Sequence, residues 1–220
     1  MPGLRQLVSA TFAGVARWRS APALHSRGAL FDARVALTER DSVLANALGG
    51  TGERPALVRL SKGAGTPGGL PDLLGVAVRT EIGGHVLDVL FTSGNRVLVP
   101  SHGWTRRPYT TLMPYAAAGT RVVLGLEPED RLATSGADPA TVAAPMAFTL
   151  TEREHGVTRA VGRLVLEAPH EGGPVAFDPV HNTHPQLVPS PPLRRLRAWA
   201  YTGSRRGRGV GARELGRGPG

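Results

Sequence analysis

The sequence predicts a mainly β protein with some α: an antiparallel barrel with an N-terminal helix before it and a C-terminal helix after it. Runs of alternating or β-branched residues recur between Gly28 and Glu167, which is strand patterning. Gly83-Gly84 and Glu154-His155-Gly156 are turn sites between successive runs, which makes the connections antiparallel. Helical signals stand outside these runs, at both ends.

In chain order, Leu4, Leu7, Val8, Phe12, Val15 and Trp18 recur near helical spacing and predict a packed helix within residues 1–22. Arg5, Arg17 and Arg19 lie nearby, with no acidic residue before Asp32, a composition shared with targeting peptides. The apolar stretch is short for one, and no convincing cleavage site follows it. Strands read at Gly28–Glu39, Pro55–Lys62, Gly75–Thr80, His85–Ser93, Arg121–Glu127, Met146–Glu154 and Val157–Glu167. Some seven or eight such strands make a closed or nearly closed barrel. The segment Gly94–Thr120 carries Pro100, Pro108 and Pro114 and the aromatics Trp104, Tyr109 and Tyr115 without a period. It reads as a loop with short helices crossing the barrel. Five prolines between Phe177 and Pro192 stop regular structure. Ser190 can then cap a helix with Pro191 and Pro192 in its first positions, running to about Gly203. Residues 1–204 thus form a single barrel domain, and the Arg/Gly-rich tail 205–220 has little to bury and reads as disordered.

At 220 residues the chain fits one domain, which at this size buries roughly 70% of its unfolded surface. The absence of cysteine excludes structural disulfides, thiolate nucleophiles and Cys-held metals. Any metal must be held by His, carboxylate or Tyr. The charge of +9 comes almost wholly from arginine, Lys62 being the only lysine. No run approaches the 18 or so apolar residues of a membrane span, so the expectation is a cytoplasmic protein without one.

Several local motifs carry little chemistry. Ser61-Lys62-Gly63-Ala64-Gly65-Thr66 is glycine-rich, but Pro67 and Pro71 forbid the helix that a phosphate-cradling loop needs. His181, His184 and Asp178 could hold a metal, although Pro179 and Pro185 make this stretch a surface loop. Arg194, Arg195, Arg205, Arg206 and Arg208 form a basic stripe without interleaved aromatics, so no specific nucleic-acid partner is expected.

Two distant segments matter more: His25-Ser26-Arg27-Gly28-Ala29-Leu30-Phe31, and Ser190-Pro191 followed by Arg197-Ala198-Trp199-Ala200-Tyr201. The first resembles the distal-histidine segment of the haem catalases. Val58-Arg59-Leu60-Ser61 resembles that family's Val-Arg-Phe-Ser strand, and Pro71-Asp72 through Arg79 its Asp-x-x-Gly-Phe-Ala-Val-Lys run. Leu87-Asp88-Val89-Leu90 is similar to its Trp-Asp-Leu-Val. Phe177-Asp178-Pro179, Ser190-Pro191 and Arg197-x-x-x-Tyr201 follow the family's C-terminal pattern in register. The resemblance covers roughly residues 24–93 and 176–208 and implies a short, diverged relative.

It implies a b-type ferric haem with Tyr201 as the iron ligand. Arg197 lies one helical turn away, where its charge favours the phenolate. It implies His25 as distal acid–base, with Ser61 holding the other ring nitrogen. Arg59 and Arg208 match arginines that pair with the haem propionates. The distal asparagine is replaced: the matching positions are Thr92 and Ser93, and Asn95 serves only with a two-residue shift. Pro22 stands where the family keeps another propionate arginine. Catalases are also more than twice this length.

Three function classes follow. The first is a haem oxidoreductase consuming hydrogen peroxide or an organic peroxide, a slow peroxidase with an unknown small-molecule reductant rather than a fast catalase. The second keeps the barrel but binds haem, or an apolar ligand, without turnover. The third is a metal-dependent phosphodiesterase using His25, Asp72, Asp88 or the His181/His184 pair. Outside the resemblance, Arg197–Tyr201 reads as a cation–π or packing pair, His25 as a loop histidine, and Arg59 with Ser61 as an ordinary polar strand face. Homo-oligomerisation is left open.

Overall fold

The computed structural model describes residues 28–95, 97–130, 136–179 and 181–190. Ten strands run through them: β1 (Gly28–Leu37), β2 (Gly52–Lys62), β3 (Leu74–Ile82), β4 (His85–Ser93), β5 (Tyr109–Thr110), β6 (Tyr115–Ala117), β7 (Thr120–Pro128), β8 (Met146–Glu154), β9 (Val157–Pro169) and β10 (Val188–Pro189). All pair antiparallel. β7 meets both β5 and β8, so the order β1-β2-β3-β4-β5-β7-β8-β9 returns to β1 and closes an eight-stranded barrel. Closure gives every strand of the ring a partner on both sides, although between β4 and β7 that partner is only the two-residue β5. β6 pairs with the start of β7 and carries β10 outside the ring.

The turns explain the antiparallel order. Gly83 and Gly84 (φ 57° and 76°) join the paired residues Ile82 and His85. His155 and Gly156 (φ 48° and 86°) do the same between Glu154 and Val157, and Ala118 and Gly119 (φ 47° and 79°) between Ala117 and Thr120. Two-residue loops with both φ positive have a twist that suits flanking strands.

Alternation sorts the side chains. Phe31, Ala33 and Leu37 of β1, Val58 and Leu60 of β2, Val76 and Val78 of β3, and Leu87, Val89 and Phe91 of β4 are buried on the inner face. Leu124, Leu126, Phe148, Leu164 and Leu166 complete the core from the far wall.

The segment 94–120 departs from expectation. Its described residues contain no helix; they hold β5, β6 and turns. Its aromatics explain this: Trp104 and Tyr109 are fully buried and stack 6.5 Å apart, and Tyr109 meets Phe148 edge-on at 5.9 Å. The Tyr109 hydroxyl donates to the Trp104 carbonyl at 2.8 Å. Burying such rings draws the loop onto the barrel wall. One short helix, α1 (Val43–Ala47), is an addition to the expected elements. Ser42 Oγ caps it by accepting from Ala45 N–H at 2.9 Å. The expected N-terminal helix and the helix from Pro191 lie outside the described residues.

Candidate functional site

Opposite the core, β1–β4 present an outer face built in register. Gly28, Ser61, Gly75 and Thr92 lie side by side in one row, since Gly28 pairs with Ser61, Ser61 with Gly75 and Gly75 with Thr92. The next row is Leu30, Arg59, Ala77 and Leu90, and the third is Asp32, Leu57, Arg79 and Asp88. The first row is a shelf of small residues with a hydroxyl at its middle and another at its end. Glycine at 28 has a local reason: a Cβ there would lie 2.8 Å from Arg59 Nε, so its absence makes room for that guanidinium.

Two side chains on this face have unmet polar chemistry. Thr92 Oγ1 is buried and has no hydrogen-bond partner. An orphaned hydroxyl of this kind is uncommon in a folded interior. Arg59 is half-buried, burial lowers its pKa, and no carboxylate among the described residues pairs with it. A partly desolvated cation without a partner favours an anion beside it.

Among the expected site residues, the structure brings Arg59, Ser61 and Thr92 together on this face. Ser93 is on the opposite side of β4. Its Oγ accepts from Leu74 N–H at 3.1 Å and donates to the Val99 carbonyl at 2.7 Å, which ties β4 to β3 and to the loop after it. Asn95 is exposed, and its Oδ1 accepts from Arg153. His25, Arg197, Tyr201 and Arg208 lie outside the described residues.

Asp88 and Arg79, in the third row, have another task. Asp88 is fully buried and takes both prongs of Arg79 at 2.7 Å each. It also accepts from Asp178 N–H at 2.6 Å and from Asn182 Nδ2 at 2.8 Å. Arg79 reaches the Ala176 carbonyl and sits 4.9 Å from the Phe177 ring centre. The Phe177-Asp178-Pro179 motif is thereby clamped onto β3 and β4. Farther along, Ser190 N–H donates to the Pro114 carbonyl at 3.1 Å and β10 pairs with β6. Neither Arg79 nor Phe177 was among the candidate residues. Their signal is the recurrence of Arg79, Asp88 and Phe177-Asp178 in the blocks that carry the resemblance.

The carboxylates of the hydrolase reading are similarly committed. Asp72 accepts from Ala64 N–H at 2.7 Å and from Thr66 N–H and Oγ1 at 2.8 Å each, closing the glycine-rich loop. His181 leans on Asp178 at 2.9 Å, and His184 meets His85 with ring centres 5.5 Å apart. Among the described residues, no three His, Asp or Glu side chains gather as a metal site. No described helix is long and apolar enough to cross a membrane.

No known family model matches the sequence, and no curated protein matches it. Solved structures do. A fungal catalase superposes with a TM-score of 0.63 at 12% identity, over 83% of this chain and 58% of the other. Catalase A from Saccharomyces cerevisiae superposes with a TM-score of 0.63 at 10% identity, over 94% of this chain and 64% of the other. The chain therefore spans less than two thirds of either catalase. Over that span, the eight-stranded barrel and the strands that frame its outer shelf belong to a catalase-like fold.

Proposed function

We propose that the protein is a haem-binding, catalase-like oxidoreductase that consumes hydrogen peroxide or an organic peroxide, as a slow peroxidase using a small-molecule reductant. The observation that carries this reading is the outer shelf. Within a catalase-like fold, it combines a row of small residues with an orphaned buried hydroxyl and a half-buried guanidinium that has no carboxylate partner among the described residues. These residues suit haem, which is flat, carries two carboxylates and brings an oxygen ligand that can accept from a hydroxyl.

When bound, haem supplies the iron chemistry on which peroxide is consumed. The chain's own residues do the rest. Arg59 pairs with a propionate, as does Arg208. Tyr201 provides the phenolate ligand, favoured by the positive charge of Arg197. A ring nitrogen of His25 takes a proton from peroxide and returns it to the departing oxygen, while Ser61 Oγ holds the other nitrogen and fixes the tautomer. Thr92 Oγ1 gives the second distal hydrogen bond. A hydroxyl has one proton where an amide has two, and the weaker orientation of peroxide favours slow turnover with an added reductant.

The test is peroxide consumption by hemin-loaded protein with an organic reductant. His25→Ala is expected to keep the haem spectrum and lose 10²-fold or more in rate, a typical contribution of acid–base catalysis. Equal rates would remove the assigned role. The binding-only reading keeps one observation of its own, the apolar interior described next.

A further inference from the structure

The inner side of the barrel carries a second site, back to back with the shelf. One end of the bore keeps a cavity of about 50 Å³, walled by Leu37, Leu48, Val78, Leu87, Leu126 and Leu164 among others. Its lining has two polar side chains. Thr80 spends its hydroxyl on the Pro55 carbonyl at 2.9 Å. The other is Arg54.

Arg54 stands opposite Val35 in the β1–β2 register, on the same inward row as Val58 and Leu60. Arg54 is half-buried at one end of this row, and the residues that follow it on the same face are Ala56, Val58 and Leu60. Here it finds two carbonyls, Gly52 O at 3.3 Å and Gly50 O at 3.4 Å, and no carboxylate among the described residues. Its five donors are therefore mostly unused, and the planar fork matches a carboxylate in both shape and charge. The cavity lacks the two to four polar partners that hold a water, so it favours an apolar guest.

We infer that the bore binds short-chain monocarboxylates, with the alkyl chain among the leucines and valines and the carboxylate on Arg54. Size limits the chain. A cavity of about 150 Å³ holds benzene, so about 50 Å³ takes about two buried carbons, and acids of about three to four carbons fit. So few buried atoms give dissociation constants on the order of millimolar. The site does not depend on haem, which belongs to the opposite face of the same strands.

The test is calorimetric titration of the full chain with acetate, propanoate, butanoate, pentanoate and octanoate at constant ionic strength, with butylammonium as control. The inference expects affinity to rise about fourfold per methylene up to propanoate or butanoate and then level off. It expects no binding of butylammonium and a loss of at least tenfold in butanoate affinity for Arg54→Gln. Val89→Leu, which fills the bore and leaves Arg54 in place, should abolish the dependence on chain length. That variant and the ammonium control carry the test if Arg54→Gln fails to fold. Absence of binding, affinity indifferent to chain length, or equal binding of butylammonium would each overturn it. Repeating the titration with hemin present separates the two sites: butanoate affinity should not change, and a protein that takes no hemin should still bind butanoate.

Discussion

Thr92 and Ser93 are neighbours in sequence and have opposite roles. Alternation along β4 puts Ser93 on the side of Phe91, where both its hydrogen-bonding capacities are used, and Thr92 on the side of Asp88, where its hydroxyl is buried without a partner. Removing an unpaired buried hydroxyl costs the fold nothing in hydrogen bonds. Thr92→Val is therefore expected to leave unfolding free energy in urea within about 1 kcal/mol of the parent, or to raise it. The same change should weaken azide binding to the hemin-loaded protein; unchanged azide affinity would remove Thr92 from the site. Asp88 behaves in the reverse way. It is buried against Arg79, Asp178 and Asn182, so Asp88→Leu strands a guanidinium and two N–H donors and should cost about 3 kcal/mol in the same measurement. The sequence marks Asp88 as a residue that matters, yet also fits it to a metal site. Residue type and spacing do not distinguish a ligand from a clamp; the partners at 176–182 are too distant in sequence to be inferred.

The long strands were legible because their patterning and their turns agree. Gly83-Gly84 and His155-Gly156 place glycine where the turn needs positive φ, and the ladders run to within three residues of the expected limits. Ala118-Gly119 makes the same turn but joins the three-residue β6 to β7, too short a strand for alternation to register. β5 and β10 are two residues each and exist through distant pairings, and α1 spans five, too few for a helical period to recur. Helix α1 is held from outside: buried Glu152 accepts from Val43 and Leu44 N–H at 3.1 and 3.0 Å and from Arg159 at 2.7 Å. Alternation along β8 puts Glu152 on the inner side with Phe148 and Leu150, and Gly162 lies opposite Leu150. A Cβ on Gly162 would come within 2.0 Å of the Ala36 carbonyl oxygen. Gly162→Ala should therefore force β1 and β9 apart and lower the thermal midpoint, an overpacking cost of roughly 2 kcal/mol. The clamped segment also gives a pH dependence. Burial, and then the charge of His85, lowers the pKa of His184 below 6.5, so protonation is harder in the folded state. The unfolded chain binds that proton first, and stability is lost as pH falls below about 6.5. His184→Gln should reduce the drop in thermal midpoint between pH 7.5 and 5.5; an identical drop would contradict this origin.

At the scale of the molecule, closure of the eight-stranded ring gives the β1–β4 wall two faces, a packed inner one and the outer shelf. The two catalases superpose on this chain at 12% and 10% identity, where sequence comparison finds no relative. The likeness was legible in the sequence as short blocks in order, and the structure brings those blocks together in the row Gly28, Ser61, Gly75 and in the Arg79–Asp88–Phe177 clamp. The most direct measurement is the optical spectrum of protein purified from cells supplied with iron and a haem precursor, beside Tyr201→Phe prepared identically. The account predicts a Soret band with the charge-transfer bands of tyrosinate-ligated high-spin ferric haem in the parent, and their loss in the variant. A colourless parent that also takes up no added hemin, or a haem spectrum unchanged by Tyr201→Phe, would contradict it.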